Sequence, residues 1–233
     1  GTEPQSLDPH IATGVPEHHI ITALMEGLMS KDSKTLAPKA GVAESWDISD
    51  DGRVYTFKLR ETARWSNGDP HNAHDYVWSW WRALQPALGN LYAYMYFSIE
   101  NAQAYYEGTV TDFNQVGVKA LDDYTLQVTL SNPTPYFLQL LDHYSLYPVH
   151  RGTVETFGAA DERGTRWTYE GNNVSNGAFQ LLDWKINRRI TLQRNPYYWN
   201  AEQVRLNHIV FYPTENVVSE ERMFRAGQLH RTS

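Results

Sequence analysis

The chain has 233 residues, 41% of them hydrophobic and 13% aromatic, enough for one large domain or two smaller ones with proper cores. A formal net charge of −7 and a pI near 5.7 argue against a nucleic-acid binder, which carries a basic face. The absence of cysteine excludes disulfides, thiolate metal sites and cysteine nucleophiles, and no run of 18 apolar residues offers a transmembrane helix. No signal peptide is visible, and Gly1-Thr2-Glu3-Pro4 reads like the interior of a longer sequence.

Residues 1 to about 26 begin with the segment SLDPHIATGVPEHH. Pro9, Gly14 and Pro16 are expected to keep Asp8 to Glu17 out of a helix, with a short helical stretch from Ile20 to Leu28. An irregular backbone with spare N–H and C=O groups can pair with a peptide added as a strand, although the residues alone read as an ordinary surface connection.

The stretch from Gly41 to Leu84 is the most structured. Asp50-Asp51-Gly52 is a turn signal, and in Val54–Leu59 the residues Tyr55, Phe57 and Leu59 alternate with Thr56 and Lys58 as in a half-buried strand. Asn67-Gly68 is a second turn. Asn72 then caps a helix, with Asp75 as a shortened capping box, and Val77, Trp80 or Trp81, and Leu84 form its apolar stripe. In LYAYMYF, Tyr92 follows Gly89-Asn90, and a tyrosine there can present ring and hydroxyl to a ligand. Trp78, Trp80 and Trp81 read as core packing.

Val116, Val118, Asp122-Asp123, Leu126, Val128 and Leu130 spell a β-hairpin, ended by Asn132-Pro133, and Pro135 to Leu141 reads as a short helix. Residues 151 to 176 turn polar and glycine-containing, a boundary or surface excursion. Phe179–Trp184, Ile190–Arg194 and His208–Tyr212 carry strand patterns. Ser219 is placed to cap a last helix, Glu220–Ala226, stopped by Gly227.

Few motifs carry chemistry. Asp47, Ser49, Asp51 and Gly52 match the first half of a calcium-binding EF-hand loop, but Lys58 stands where the bidentate Glu belongs, so an Asp-rich turn is preferred. Among nine histidines, His18-His19 point apart on a helix, while His71 and His74 could share a face but lack a third ligand. Lys185, Arg188, Arg189 and Arg194 read as a solvated edge. No nucleophile elbow, HExxH, P-loop or GxGxxG occurs, and no carboxylate pair stands out. A catalytic site assembled from distant residues remains an open alternative.

The Gly41–Leu84 block, with EPQSLDPHIATGVPEHHI, VGVKALDDYTLQVTLSNPTPYFLQLL, NGAFQLLDW, RNPYYWN and ERMFRAGQL, resembles the peptide- and nickel-type (family 5) solute-binding proteins of ABC importers, the oligopeptide-binding branch above all. The resemblance covers nearly the whole chain. It implies an α/β, periplasmic-binding-protein-like fold of mixed sheets with flanking helices, truncated before the third domain. Residues 1–26 would be the first segment of domain I, 27–150 an inserted domain II, and 151–233 an incomplete second segment of domain I, with hinge strands crossing near 25–29 and 148–153. It further implies non-catalytic capture of short peptides in the periplasm, or on a membrane anchor if a lipobox preceded Gly1, and delivery to ABC permease subunits. No cofactor or metal is implied. Thr13, Gly14 and Val15 match a segment that pairs with peptide backbone, and Tyr92 matches a tyrosine that contacts the peptide. The groups that hold the peptide's termini lie in the third domain, so the remaining C-terminal half is an implied partner.

His71, Asn72, His74, Trp81 and His230 depart from the family pattern. Two alternatives stay open: a shortened relative acting as an interaction module, or a binder of nickel chelates, haem or sugars. A chain cut through domain I is expected to leave an unpaired sheet edge and an exposed apolar patch, which a purpose-built short protein would cover.

Overall fold

The computed structural model describes residues 1–232; Ser233, the last residue of the expected third segment, lies outside them. In chain order, helix α1 (Val15–Leu24) is followed by strands β1 (Met29–Lys31), β2 (Pro38–Ala40), β3 (Ala43–Ile48) and β4 (Val54–Leu59). Helices α2 (Ala73–Ala83) and α3 (Ala102–Tyr106) precede the hairpin β5 (Val118–Asp122) and β6 (Thr125–Thr129). Then come α4 (Phe137–Leu140), α5 (Arg151–Phe157), β7 (Phe179–Lys185), β8 (Arg189–Arg194), β9 (His208–Phe211) and α6 (Val217–Arg225). The strands form a β1-β2 ribbon, a four-stranded sheet β3-β4-β6-β5 and a three-stranded sheet β7-β8-β9, with every described pairing antiparallel.

Local chemistry explains these elements. In β4 the side chains of Tyr55, Phe57 and Leu59 are buried, opposite Val128 and Leu126 of β6. Ahead of α2, Asn72 Oδ1 accepts the His74 N–H at 2.9 Å while Asp75 Oδ2 accepts the Asn72 N–H at 2.8 Å, a complete capping box made with the shorter acid. Helix α2 buries Ala73, Tyr76, Trp80 and Ala83, with Trp81 only partly covered. The Trp80 indole donates to the Leu146 carbonyl at 2.9 Å.

Two apolar cores result. One joins β3–β6 and α2 through Phe57, Trp80, Leu126 and Val128. The other joins α1 to residues 144–154 and to β7 and β8, through Ile21, Leu24, Val149, Trp167, Ile190 and Leu192. The face around β9 and α6 is open: Leu206, Val217, Val218 and Phe224 are exposed, and β9 pairs on one side with β8 alone among the described strands.

Helices α1 and α6 differ from their expected spans. Helix α1 starts at Val15 and ends at Leu24, five residues before Met29 opens β1, instead of spanning Ile20–Leu28. Pro16 stands in the first turn, where its missing N–H costs no hydrogen bond, and Glu17 favours the positive helix end. Helix α6 starts at Val217 because Asn216 caps it, its Oδ1 accepting the Ser219 N–H at 3.0 Å. Ser219 is therefore capped rather than capping.

Candidate functional site

The first segment is fixed from below by a buried polar cluster. Asp8 and Pro9 make a turn in which the Ile11 and Ala12 N–H groups donate to the Asp8 carbonyl, at 3.2 and 3.0 Å. The Asp8 carboxylate meets Arg82 of α2 through both oxygens, at 3.0 and 2.6 Å. Arg82 also donates to His10 Nδ1 at 2.9 Å and to the Ala160 carbonyl at 2.7 Å, and His10 Nε2 donates to the Tyr147 carbonyl at 3.0 Å. Both partners of the ion pair are buried. Burial pushes the Asp8 carboxyl up, but Arg82 outweighs it and the pKa ends below the ordinary value. Burial, reinforced by Arg82, holds His10 neutral down to about pH 4.

Above this base, residues 11–14 form a lip on which Thr13 is exposed while Ala12 stays buried. The Tyr144 hydroxyl donates to the Ala12 carbonyl at 2.9 Å, and the Tyr92 hydroxyl reaches the Thr13 carbonyl at 3.5 Å. Gly14 is extended (φ −87°, ψ 157°) and, with Thr13, borders an open cleft of about 780 Å³ whose far wall includes Arg163, Trp167 and Trp184. The N–H groups of Thr13 and Gly14 donate to nothing among the described residues. Of the four residues expected to contact ligand, Thr13, Gly14 and Tyr92 are thus brought together. Val15 is exposed beside them, but as the first residue of α1 it is helical rather than part of an extended pairing segment.

A Cβ at Gly14 would crowd the end of the Glu17 side chain at Oε2, and Glu17 Oε1 holds the Gln5 N–H at 2.6 Å. Gly14→Ala is expected to swing this carboxylate away and release the Gln5 amide to solvent, at a cost of about 0.5–1.5 kcal/mol, the net worth of one hydrogen bond. Faster hydrogen exchange at Gln5 checks it; an unchanged rate would show that Glu17 does not hold the segment.

The two cores meet at a second junction. The Asn176 amide brackets Glu26, accepting its N–H at 3.0 Å and donating to its carbonyl at 2.9 Å. The Gly177 N–H donates to the Leu24 carbonyl at 2.8 Å, and a Cβ at Gly177 would lie 2.7 Å from the Leu24 and Met25 backbone. The Glu26 carboxylate accepts from the Tyr198 hydroxyl at 2.7 Å and the Trp199 indole at 2.6 Å, with its pKa raised by burial.

The histidines do not assemble a metal site. His71 precedes the α2 cap and is buried, whereas His74 is exposed and pairs with Asp123 at 3.3 Å, so the two share no face. Among the described residues no group of three or more His, Asp or Glu is arranged to hold a metal ion, and no helix is long and apolar enough to cross a membrane. Lys185 and Arg189 pair with Asp183 at the exposed β7–β8 turn, as a solvated edge would.

The residues missed by reading the sequence are Asp8, His10, Arg82, His143 and Tyr144. The apolar stripe expected at Val77, Trp80 and Leu84 leaves Arg82 off its face, so nothing local marks it as buried; the fold buries it and pairs it with Asp8.

Residues 37–233 match the family described as bacterial extracellular solute-binding proteins, family 5 Middle, and the chain belongs to that family. It is 44% identical over its whole length to the periplasmic oligopeptide-binding protein OppA of Escherichia coli (strain K12), covering 42% of that protein. It is 36% identical to the oligopeptide-binding protein OppA of Bacillus subtilis (strain 168), with 98% of this chain and 41% of that protein covered. It superposes on the crystal structure of Haemophilus influenzae OppA in complex with RPPGFSPFR with a TM-score of 0.91 at 41% identity, covering 98% of this chain and 44% of that one. The unliganded open form of the murein tripeptide-binding protein MppA gives a TM-score of 0.90 at 34% identity, with 98% and 43% covered. The chain therefore spans about two fifths of the length of the relatives it matches.

Proposed function

We propose that this chain is one lobe of an extracytoplasmic binding protein for short peptides, which delivers them to an ABC permease without chemistry. The observation that carries the reading is the Thr13–Gly14 lip, with two unengaged N–H groups beside the Tyr92 ring, at the edge of an open cleft. Such a lip can pair with a peptide backbone as an added strand. Val15 would contribute apolar contact next to it.

The domain division 1–26, 27–150 and 151–233 belongs to the same proposal. The two cores support it in outline: one lies within the middle stretch, and the other joins its two flanks while also taking in Tyr144, Tyr147 and Val149 from the end of that stretch. The hinge would cross near 25–29 and 148–153, beside the Glu26–Asn176 clamp. The exposed apolar residues around β9 and α6 support a further segment packing there. The periplasm, the compartment in the name of the Escherichia coli relative, is proposed for this chain too.

Half a cleft lacks enclosure, so binding by this chain alone is expected to be weak, roughly millimolar. Titration with tri- to pentapeptides, followed by amide NMR, is expected to shift Thr13, Gly14 and Tyr92. Shifts confined to other residues, or none, would overturn the assignment, and micromolar affinity would show that half the cleft suffices.

A further inference from the structure

Beside the lip the structure gathers a wall of aromatic rings drawn from α1, from the turn after Asn90 and from residues 143–144. His143 stacks on Tyr144 with centroids 4.5 Å apart. Tyr92 meets His143 edge-on at 4.9 Å and Tyr144 at 5.9 Å, and His18 lies 5.5 Å from Tyr144. Tyr144 is buried behind the others, while His18, Tyr92 and His143 are partly open to solvent.

The polar atoms of this wall are mostly committed inward. The Tyr144 and Tyr92 hydroxyls point at the Ala12 and Thr13 carbonyls. His143 Nδ1 accepts the Ser145 N–H at 3.3 Å and lies 2.8 Å from its hydroxyl. Burial, with help from His18, keeps His143 neutral down to about pH 4, and burial also lowers the His18 pKa. Lys31 and Asp142 neutralise one another at 2.8 Å, the buried Glu17 carboxylate acts on Tyr144 from α1, and His19 sits 5.7 Å from His18. What the wall offers a ligand near neutral pH is ring faces and edges without net charge.

Resting on the peptide-binding reading above, we propose that the His18–Tyr92–His143–Tyr144 wall is a side-chain subsite that selects an aromatic residue over an acidic or small one in the peptide paired at Thr13–Gly14. Offset and edge-to-face ring contacts favour an aromatic guest, whereas a carboxylate would lose water against rings that supply no cation.

The test compares Ala-Phe-Ala, Ala-Glu-Ala and Ala-Ala-Ala binding to this chain at neutral pH, by amide NMR titration. Ala-Phe-Ala is expected to bind about tenfold tighter than the other two. In the double variant His18→Gln, His143→Asn that preference is expected to collapse. The amide introduced by His143→Asn keeps an acceptor for the Ser145 N–H, and an unchanged thermal midpoint verifies the fold. Equal affinities for the three peptides would overturn the subsite and leave peptide binding standing. A preference that survives the double variant would also overturn it. No shift with any peptide would overturn the peptide-binding reading and the subsite together.

Discussion

Replacing Arg82 with alanine is expected to cost about 3–5 kcal/mol, because it leaves the Asp8 carboxylate buried with no counter-ion. The loss is larger than that of a surface ion pair such as Arg151–Glu155, whose charges remain hydrated and contribute about 0.3–0.5 kcal/mol. Arg82 also ties α2 to two other segments, holding Asp8 and His10 on one and the Ala160 carbonyl on the other. Its loss should therefore loosen the lip above it as well as the fold. Urea unfolding measures the first effect as a lower midpoint, and hydrogen exchange at Ala12 measures the second. The double replacement Asp8→Leu, Arg82→Met is expected to recover much of the stability, since an apolar pair leaves no charge stranded. If Arg82→Ala alone shifts stability by less than about 1 kcal/mol, the ion pair does not organise this region.

Acid is expected to unfold the protein steeply below pH 6.5. His71 and His10 are buried and held neutral to about pH 3 and about pH 4, whereas the unfolded chain binds their protons near 6.5. Their stabilisation is complete above 6.5 and is lost as pH falls toward the folded values, at about 1.4 kcal/mol per pH unit for each group. Asp75 works the other way. Its carboxyl is raised to about 6 by burial, so its contribution weakens as pH rises from the unfolded value toward 6. Two histidines outweigh one carboxylate, and the net slope stays acid-labile. His71 is the cleaner probe: its ring lies between Trp65 and Tyr76, Nδ1 faces the Asn176 amide at 3.3 Å, and Nε2 is buried with no partner among the described residues. His71→Leu removes that orphaned atom and is expected to flatten the loss of stability between pH 6.5 and 4. Thermal midpoints across this range check it, and a slope equal to that of the unchanged protein would assign the acid lability elsewhere.

The elements most legible in the sequence are those decided within a few residues. The alternation of Tyr55, Phe57 and Leu59, and the pairing of Asn72 with Asp75, need no distant partner, and both appear as expected. The start of α1 was misread because the same proline that breaks a helix interior is welcome in its first turn. The α6 start moved for a similar reason, since Asn216 competes with Ser219 for the cap.

The candidate site was legible in part. The order and spacing of short motifs identify the family, and Thr13, Gly14 and Tyr92, proposed as ligand contacts, lie near one another in the fold. By itself the sequence determined the strands from Val54 onward, the capped helix and the kinship, because these depend on local periodicity and chain order; β1, β2 and β3 were not legible in it. The tertiary structure alone decided the rest. Asp8 and Arg82 are 74 positions apart and Tyr92 lies 79 from Thr13, and nothing within a window of residues indicates which buried charge meets which, or which hydroxyl reaches which carbonyl. Those contacts depend on how two cores pack against one helix, and so do the aromatic wall and the open lip beside it.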